Sequence, residues 1–182
     1  MILTALTDTD ISFLRFIQQH RLVEIDPLLY YISYFTTFVS IGIVLTILIV
    51  SLKNKSKALR LVFFKMLAVL IIAATISLSL KTLIFRERPF KVYPDIEKLS
   101  EGGSSSFPSG HTLETFAIAV GLSILVPKKK IIIAVFTWAI LVAYSRMALG
   151  VHYPGDVLGG MIIGSLIGFL VPLLFRIKKT TN

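Results

Sequence analysis

The sequence predicts an all-α protein, a polytopic membrane helix bundle of about five transmembrane helices with an N-terminal interfacial amphipathic helix. Three observations carry that expectation. Of 182 residues, 55% are hydrophobic and the mean hydropathy is +0.83, too apolar for a soluble domain of this size. Long apolar runs recur along the chain, separated by short polar links. The basic residues behind the net charge of +9 cluster beside those runs, as the positive-inside rule expects, and form no basic soluble face, so no nucleic-acid partner is expected.

Each element follows in order. Residues 1–26 mix Ile11, Phe13, Leu14, Phe16 and Ile17 with Ser12, Arg15, Gln18 and Gln19, whose polar set forms one arc of a helix lying at the membrane surface. Asp8 and Asp10 stand where a leader would be basic, so no cleaved signal peptide is expected. Residues 27–52 form the first span, closed by Lys53, Lys55, Lys57 and Arg60, and residues 61–85 return as the second. The link 86–110 contains Glu-Gly-Gly-Ser-Ser-Ser, by composition a flexible loop. A short third span, 111–126, is closed by Lys128, Lys129 and Lys130. Residues 131–147 and 156–175 are the fourth and fifth, with Arg176, Lys178 and Lys179 after them. The whole chain, 1–182, reads as one membrane-embedded domain.

Every basic cluster then falls at one end, which should be cytoplasmic, and the links 86–110 and 145–156 share the external face with all six tyrosines. Gly160, Gly164 and Gly168 form a small stripe for close helix approach, read as packing within the chain in preference to a dimer seam; the oligomeric state is otherwise open. Trp138, mid-span, reads as core. The absence of cysteine excludes disulfide and thiolate chemistry.

Three external segments carry unusual residues. Lys81 and Arg88 are seven apart, two helical turns, so that both heads can meet one anion, with Pro89 ending or bending the helix. Pro108-Ser109-Gly110-His111 opens the third span. Ser109 is a plausible N-cap, and the backbone N–H groups of Ser109, Gly110 and His111 make an anion cradle at the positive end of the helix dipole. Glu114, one turn inside, could complete a capping interaction or fix a neighbouring cation, and the structural reading is preferred. Ser145 to Asp156 places Arg146, a planar fork for phosphate oxygens, near His152 and Asp156, whose spacing of four lets the carboxylate reach one ring nitrogen and leave the other outward. Each has an ordinary reading alone: a snorkelling lysine, rim charges at Arg86 and Arg88, a Ser-Gly cap, a structural His-Asp pair. Together, Lys81, Arg88 and Arg146 are three cations with one carboxylate among them, and a phosphate is the expected occupant.

The pattern K-x6-R-P at Lys81, Arg88 and Pro89, P-S-G-H at Pro108 to His111, and S-R-x5-H-x3-D at Ser145, Arg146, His152 and Asp156 resembles, in order, the three signatures of the type 2 phosphatidic acid phosphatase superfamily. The family's usual description has six transmembrane helices, one more than the hydropathy pattern gives. The resemblance implies that His152 attacks phosphorus to form a phosphohistidine, Asp156 holds its tautomer, and His111 is general acid and then base. It implies that Lys81, Arg88, Ser109, Gly110 and Arg146 hold the phosphate oxygens, with no metal and no cofactor. The implied activity removes a terminal phosphate from a lipid phosphate or polyprenyl pyrophosphate at the external face of a bacterial cytoplasmic membrane. Undecaprenyl pyrophosphate is the leading substrate, and phosphatidylglycerol phosphate, phosphatidic acid and lipid A phosphate are the alternatives. Two other classes fit the same pocket: a vanadate-dependent haloperoxidase, against which the apolar spans argue, and a non-catalytic lipid-binding or transport protein.

Overall fold

The computed structural model describes residues 2–174. Eight α-helices are seen among them: α1 (Ile2–His20), α2 (Asp26–Tyr34), α3 (Thr36–Lys53), α4 (Lys57–Leu83), the single turn α5 (Pro89–Val92), α6 (Gly110–Leu125), α7 (Lys129–Ala148) and α8 (Pro154–Leu174). Among the described residues, α3, α4, α7 and α8 are long and apolar enough to cross a membrane, and α6 is a shorter apolar helix. The all-α expectation holds.

The boundaries differ from hydropathy where local chemistry intervenes. The first apolar run is not one helix: it breaks at Phe35, and the chain restarts as α3. α4 begins at Lys57, four residues early, because Ser56 caps it by accepting a hydrogen bond from the N–H of Leu59. It also ends early, at Leu83, so Lys81 and Arg88 are not two turns apart on one helix as expected. Arg88 is extended, as a residue before proline must be, and Pro89 starts α5 where it was expected to end the second span. The fifth span starts at Pro154; the basic cluster Arg176, Lys178 and Lys179 lies outside the described residues.

At the centre stands α6, packed against α4, α7 and α8, with Leu113 and Ala117 fully buried. The glycine stripe of α8 makes this possible, and the contact is within the chain. A Cβ on Gly160 would lie 2.7 Å from the carbonyl oxygen of Ser109, and on Gly164 and Gly168 it would run into the carbonyls of Leu113 and Ala117. Close approach of the backbones sets the first turn of α8 beside the first turn of α6, where the N–H of Ser109 donates to the carbonyl of Asp156 at 3.0 Å.

Helix α1 lies across that same end of the bundle. Ile11 and Leu14 are buried with Ile96 and Tyr153, Gln18 donates to the carbonyls of Glu97 and Ala148, and Arg21 pairs with Asp26. Phe13 and Phe16 remain exposed on its outer side. Trp138 is half-buried, less enclosed than the core position expected for it.

Candidate active site

Four short stretches, each anchored on a helix end, bring the polar residues together. The last turn of α4 supplies Lys81, and the extended residues after it supply Arg86 and Arg88, which share a side at spacing two while Glu87 faces out. The first turn of α6 supplies Gly110 and His111, and the last turn of α7 supplies Arg146. Gly150, at φ +71°, turns the chain back so that the N–H groups of Val151 and His152 both reach the carbonyl of Arg146, at 3.2 Å. Any side chain at Gly150 would meet the Glu97 carbonyl. Asp156 follows in the first turn of α8.

Lys81, Arg88, Gly110, His111, Arg146 and His152 line one cavity of about 690 Å³. Glu101, Glu114, Thr37, Ser77 and Ser104 also line it, and along α3 and α4 the wall is largely apolar, with Ile41, Ile71 and Leu78 exposed on the outside of the bundle. The cavity therefore joins a cationic end to exposed apolar residues of α3 and α4.

The cations face neutral partners. Lys81 Nζ donates to the carbonyl of Ser105 at 3.0 Å. Arg88 donates to the carbonyls of Gly103, Val151 and Ser105. Arg146 donates to Ser33 Oγ and to the carbonyl of Glu101. Among the described residues, none of the three has a carboxylate at ion-pair distance. Three clustered positive charges with no carboxylate at ion-pair distance among the described residues give this end of the cavity the electrostatics of an anion site, although Glu101 and Glu114 also line it.

His152 is buried between two kinds of neighbour. Arg88 Nη1 donates to its Nε2 at 3.3 Å, so Nε2 carries the lone pair and Nδ1 the hydrogen. Nδ1 points to Asp156, but at 3.6 Å the carboxylate is beyond a direct hydrogen bond. Ser106 Oγ stands between them, donating to Asp156 Oδ2 and 3.5 Å from Nδ1. Burial, reinforced by Arg146 and Arg88 and opposed by Asp156, presses the pKa of His152 down to about 3.

Asp156 is not occupied by His152 alone, as the spacing suggested. Its Oδ1 accepts from Arg86 Nη1 at 2.7 Å, and its Oδ2 also accepts the N–H of Tyr153 at 3.0 Å. Arg86 is thus no rim charge: burial works against it, but Asp156 and Asp10 outweigh burial and raise its pKa.

Other expectations need correction. Ser109 makes no side-chain cap, because its Oγ is paired with Thr112 Oγ1 at 2.9 Å, and its N–H is spent on Asp156; only the N–H groups after it remain for a cradle. Glu114 does not cap α6 either: its carboxylate lines the cavity and accepts from Thr37 Oγ1 at 2.9 Å. The serine-rich stretch is no free loop. Ser105 and Ser106 are fully buried, and its carbonyls hold Lys81 and Arg88.

The family model for the PAP2 superfamily matches residues 62–179, about two thirds of the chain. The chain belongs to the PAP2 superfamily. Among its curated PAP2 relatives, the lipid A 4'-phosphatase of Bacteroides thetaiotaomicron is 33% identical over 155 residues, 78% of this chain and 67% of that protein. The undecaprenyl-diphosphatase BcrC of Bacillus subtilis is 36% identical over 100 residues, 54% of this chain and 51% of that protein. The matched region thus spans about two thirds of the first relative and about half of the second. Among solved structures, the PAP2 type phosphatidylglycerolphosphate phosphatase of Bacillus subtilis superposes with a TM-score of 0.79 at 27% identity, covering 97% of this chain and 90% of that one. Aquifex aeolicus LpxE gives 0.75 at 29% identity, covering 92% and 96%. With four apolar spans, the PAP2 chain is an integral membrane protein.

Arg86, Ser106 and Asp10 are the site neighbours that the sequence reading missed. Arg86 was within reach: Pro89 forces Arg88 extended, and in an extended chain the residue two before it faces the same way. Nothing in the serine run singled out Ser106.

Proposed function

We propose that this protein is a membrane phosphatase that hydrolyses the terminal phosphate of a lipid phosphate or polyprenyl pyrophosphate at the external membrane face through a phosphohistidine on His152. The observation that carries the reading is the single cavity in which three unpaired cations surround two histidines and which continues into a lipid-facing apolar wall. Lys81, Arg88 and Arg146, with the N–H groups at the start of α6, hold the phosphoryl oxygens as charge develops on them. Nε2 of His152 attacks phosphorus while Nδ1–H is steadied by Ser106 and Asp156. His111 gives a proton to the leaving oxygen and afterwards takes one from the hydrolytic water. The cations do the neutralising, so no metal is needed.

The exposed apolar lining of the cavity on α3 and α4 suits a substrate whose tail stays in hydrocarbon while its phosphate reaches the cations. Undecaprenyl pyrophosphate leads the candidates, supported by the undecaprenyl-diphosphatase relative; lipid A and phosphatidylglycerol phosphates follow. The external assignment is supported by the basic residues Lys53, Lys55, Lys57, Lys128, Lys129 and Lys130, which lie in the links or the helix ends beside them, at the opposite end of the spans from the site.

Phosphate release by the purified protein from undecaprenyl pyrophosphate, phosphatidylglycerol phosphate, phosphatidic acid and lipid A, with EDTA present, tests the reading. Release from at least one of them is expected, and loss of at least about 10³-fold in His152→Ala with the melting temperature kept. No release from any lipid, or turnover retained by His152→Ala, would overturn it.

A further inference from the structure

The N-terminal helix reaches the site through Asp10. Asp10 of α1 accepts from Arg86 Nη2 at 2.6 Å, while Arg86 Nη1 donates to Asp156 at 2.7 Å, so one guanidinium bridges a carboxylate of α1 and the carboxylate behind His152. The planar face of that guanidinium lies on the Tyr153 ring, 3.9 Å from its centroid. The other oxygen of Asp10 accepts the N–H of Gly155 at 2.7 Å, in the first turn of α8, next to Asp156 itself. A Cβ on Gly155 would sit 2.9 Å from Asp10 Oδ2, so any side chain there would have to push the Asp10 carboxylate aside.

The chemistry of the nucleophile makes this bridge more than a strut. The carboxylate must stay ionised and aimed at Nδ1 as His152 gains positive charge, yet it stands 3.6 Å away with Ser106 interposed. What fixes Oδ1 is Arg86, and Arg86 is held from its far side by Asp10. Two carboxylates sharing one guanidinium also leave Asp156 only part of the Arg86 charge, so the carboxylate keeps the strength to stabilise an imidazolium.

We infer that Arg86 is a positioning residue for Asp156 and that Asp10 holds Arg86 in place, making α1 a working part of the site. The inference rests on the proposed role of His152 as nucleophile.

The test uses the full-length protein in detergent, with whichever lipid phosphate of the panel it hydrolyses. Arg86→Lys and Asp10→Asn are each expected to lower kcat roughly tenfold or more, the size of coupling between groups in contact. KM and inhibition by vanadate, a phosphate mimic, should stay within about twofold, because neither residue touches the phosphate. The double variant should be no worse than Arg86→Lys alone, since Asp10 acts through Arg86. Gly155→Ala, which displaces Asp10 without removing a charge, should reproduce Asp10→Asn and serves if the charge variants fold poorly. Arg88→Lys, by contrast, should raise KM and weaken vanadate. Unchanged kcat in both Asp10→Asn and Gly155→Ala, additive losses in the double variant, or losses that merely track melting temperature would overturn the inference. An inactive wild-type protein would instead overturn the phosphatase reading, and that is seen before any variant is made.

Discussion

The two ring nitrogens of His152 meet opposite environments, and the proposed reaction uses that difference. Nε2 faces Arg88 and the cavity, and Nδ1 faces Ser106 and Asp156. Because burial holds the pKa of His152 near 3, below the ordinary value of 6.5, the ring is neutral and keeps its lone pair at neutral pH. If His152 is the nucleophile as proposed, activity should be lost as pH falls through the folded value, where the proton occupies Nε2. The acid limb of kcat/KM, measured from pH 4 to 9, is therefore expected below pH 6.5; a limb at or above it would contradict the buried, neutral nucleophile. The residue types of this site were legible in the sequence, since cations, histidines and a carboxylate between apolar runs stand out. Their pairing was not. Spacing assigned Asp156 to His152, whereas contacts with Arg86 and Ser106, 70 and 50 residues away, decide how that carboxylate is held.

Helix ends do the positioning at the next scale. Lys81, His111, Arg146 and Asp156 all sit in a first or last turn, so the site is as precise as the packing of α4, α6, α7 and α8. The tightest of these contacts is α6 on α8, where a Cβ on Gly164 would run into the Leu113 carbonyl. Gly164→Val should cost roughly 1–3 kcal/mol by overpacking and should lower activity with it, because it pushes the start of α6 away from Asp156. Gly42→Ala is the control: nothing lies within 4 Å of its Cβ, and in the interior of α3 it should leave the melting temperature unchanged or raise it slightly. Equal melting temperatures for Gly164→Val and the wild type would remove the packing argument. The glycine period announced this contact from sequence alone. The early end of α4 was not announced, because Ile84 to Arg88 is apolar and basic enough to read as more helix, and only the docking of Arg86 and Arg88 into the site draws it straight.

At the scale of the whole molecule, the site sits at one end of the bundle under α1, and the basic links lie at the other. The chain has no cysteine, so single cysteines report sidedness cleanly. Ser104, exposed at the rim of the cavity, as Ser104→Cys should react with a membrane-impermeant maleimide on intact cells, whereas exposed Asn54, as Asn54→Cys, should react only after permeabilisation. The reverse pattern would put the site on the cytoplasmic side. The sequence by itself determined the all-helical membrane class, the approximate spans and the residues of the three motifs. Those depend on hydropathy and charge, which are properties of neighbouring residues. The tertiary structure alone decided that Asp10 of α1 reaches Arg86, that Arg86 and Ser106 hold Asp156, and that the cations share one cavity with exposed apolar residues of α3 and α4. Those depend on which distant backbones approach closely enough for side chains to meet, and that is fixed by helix packing.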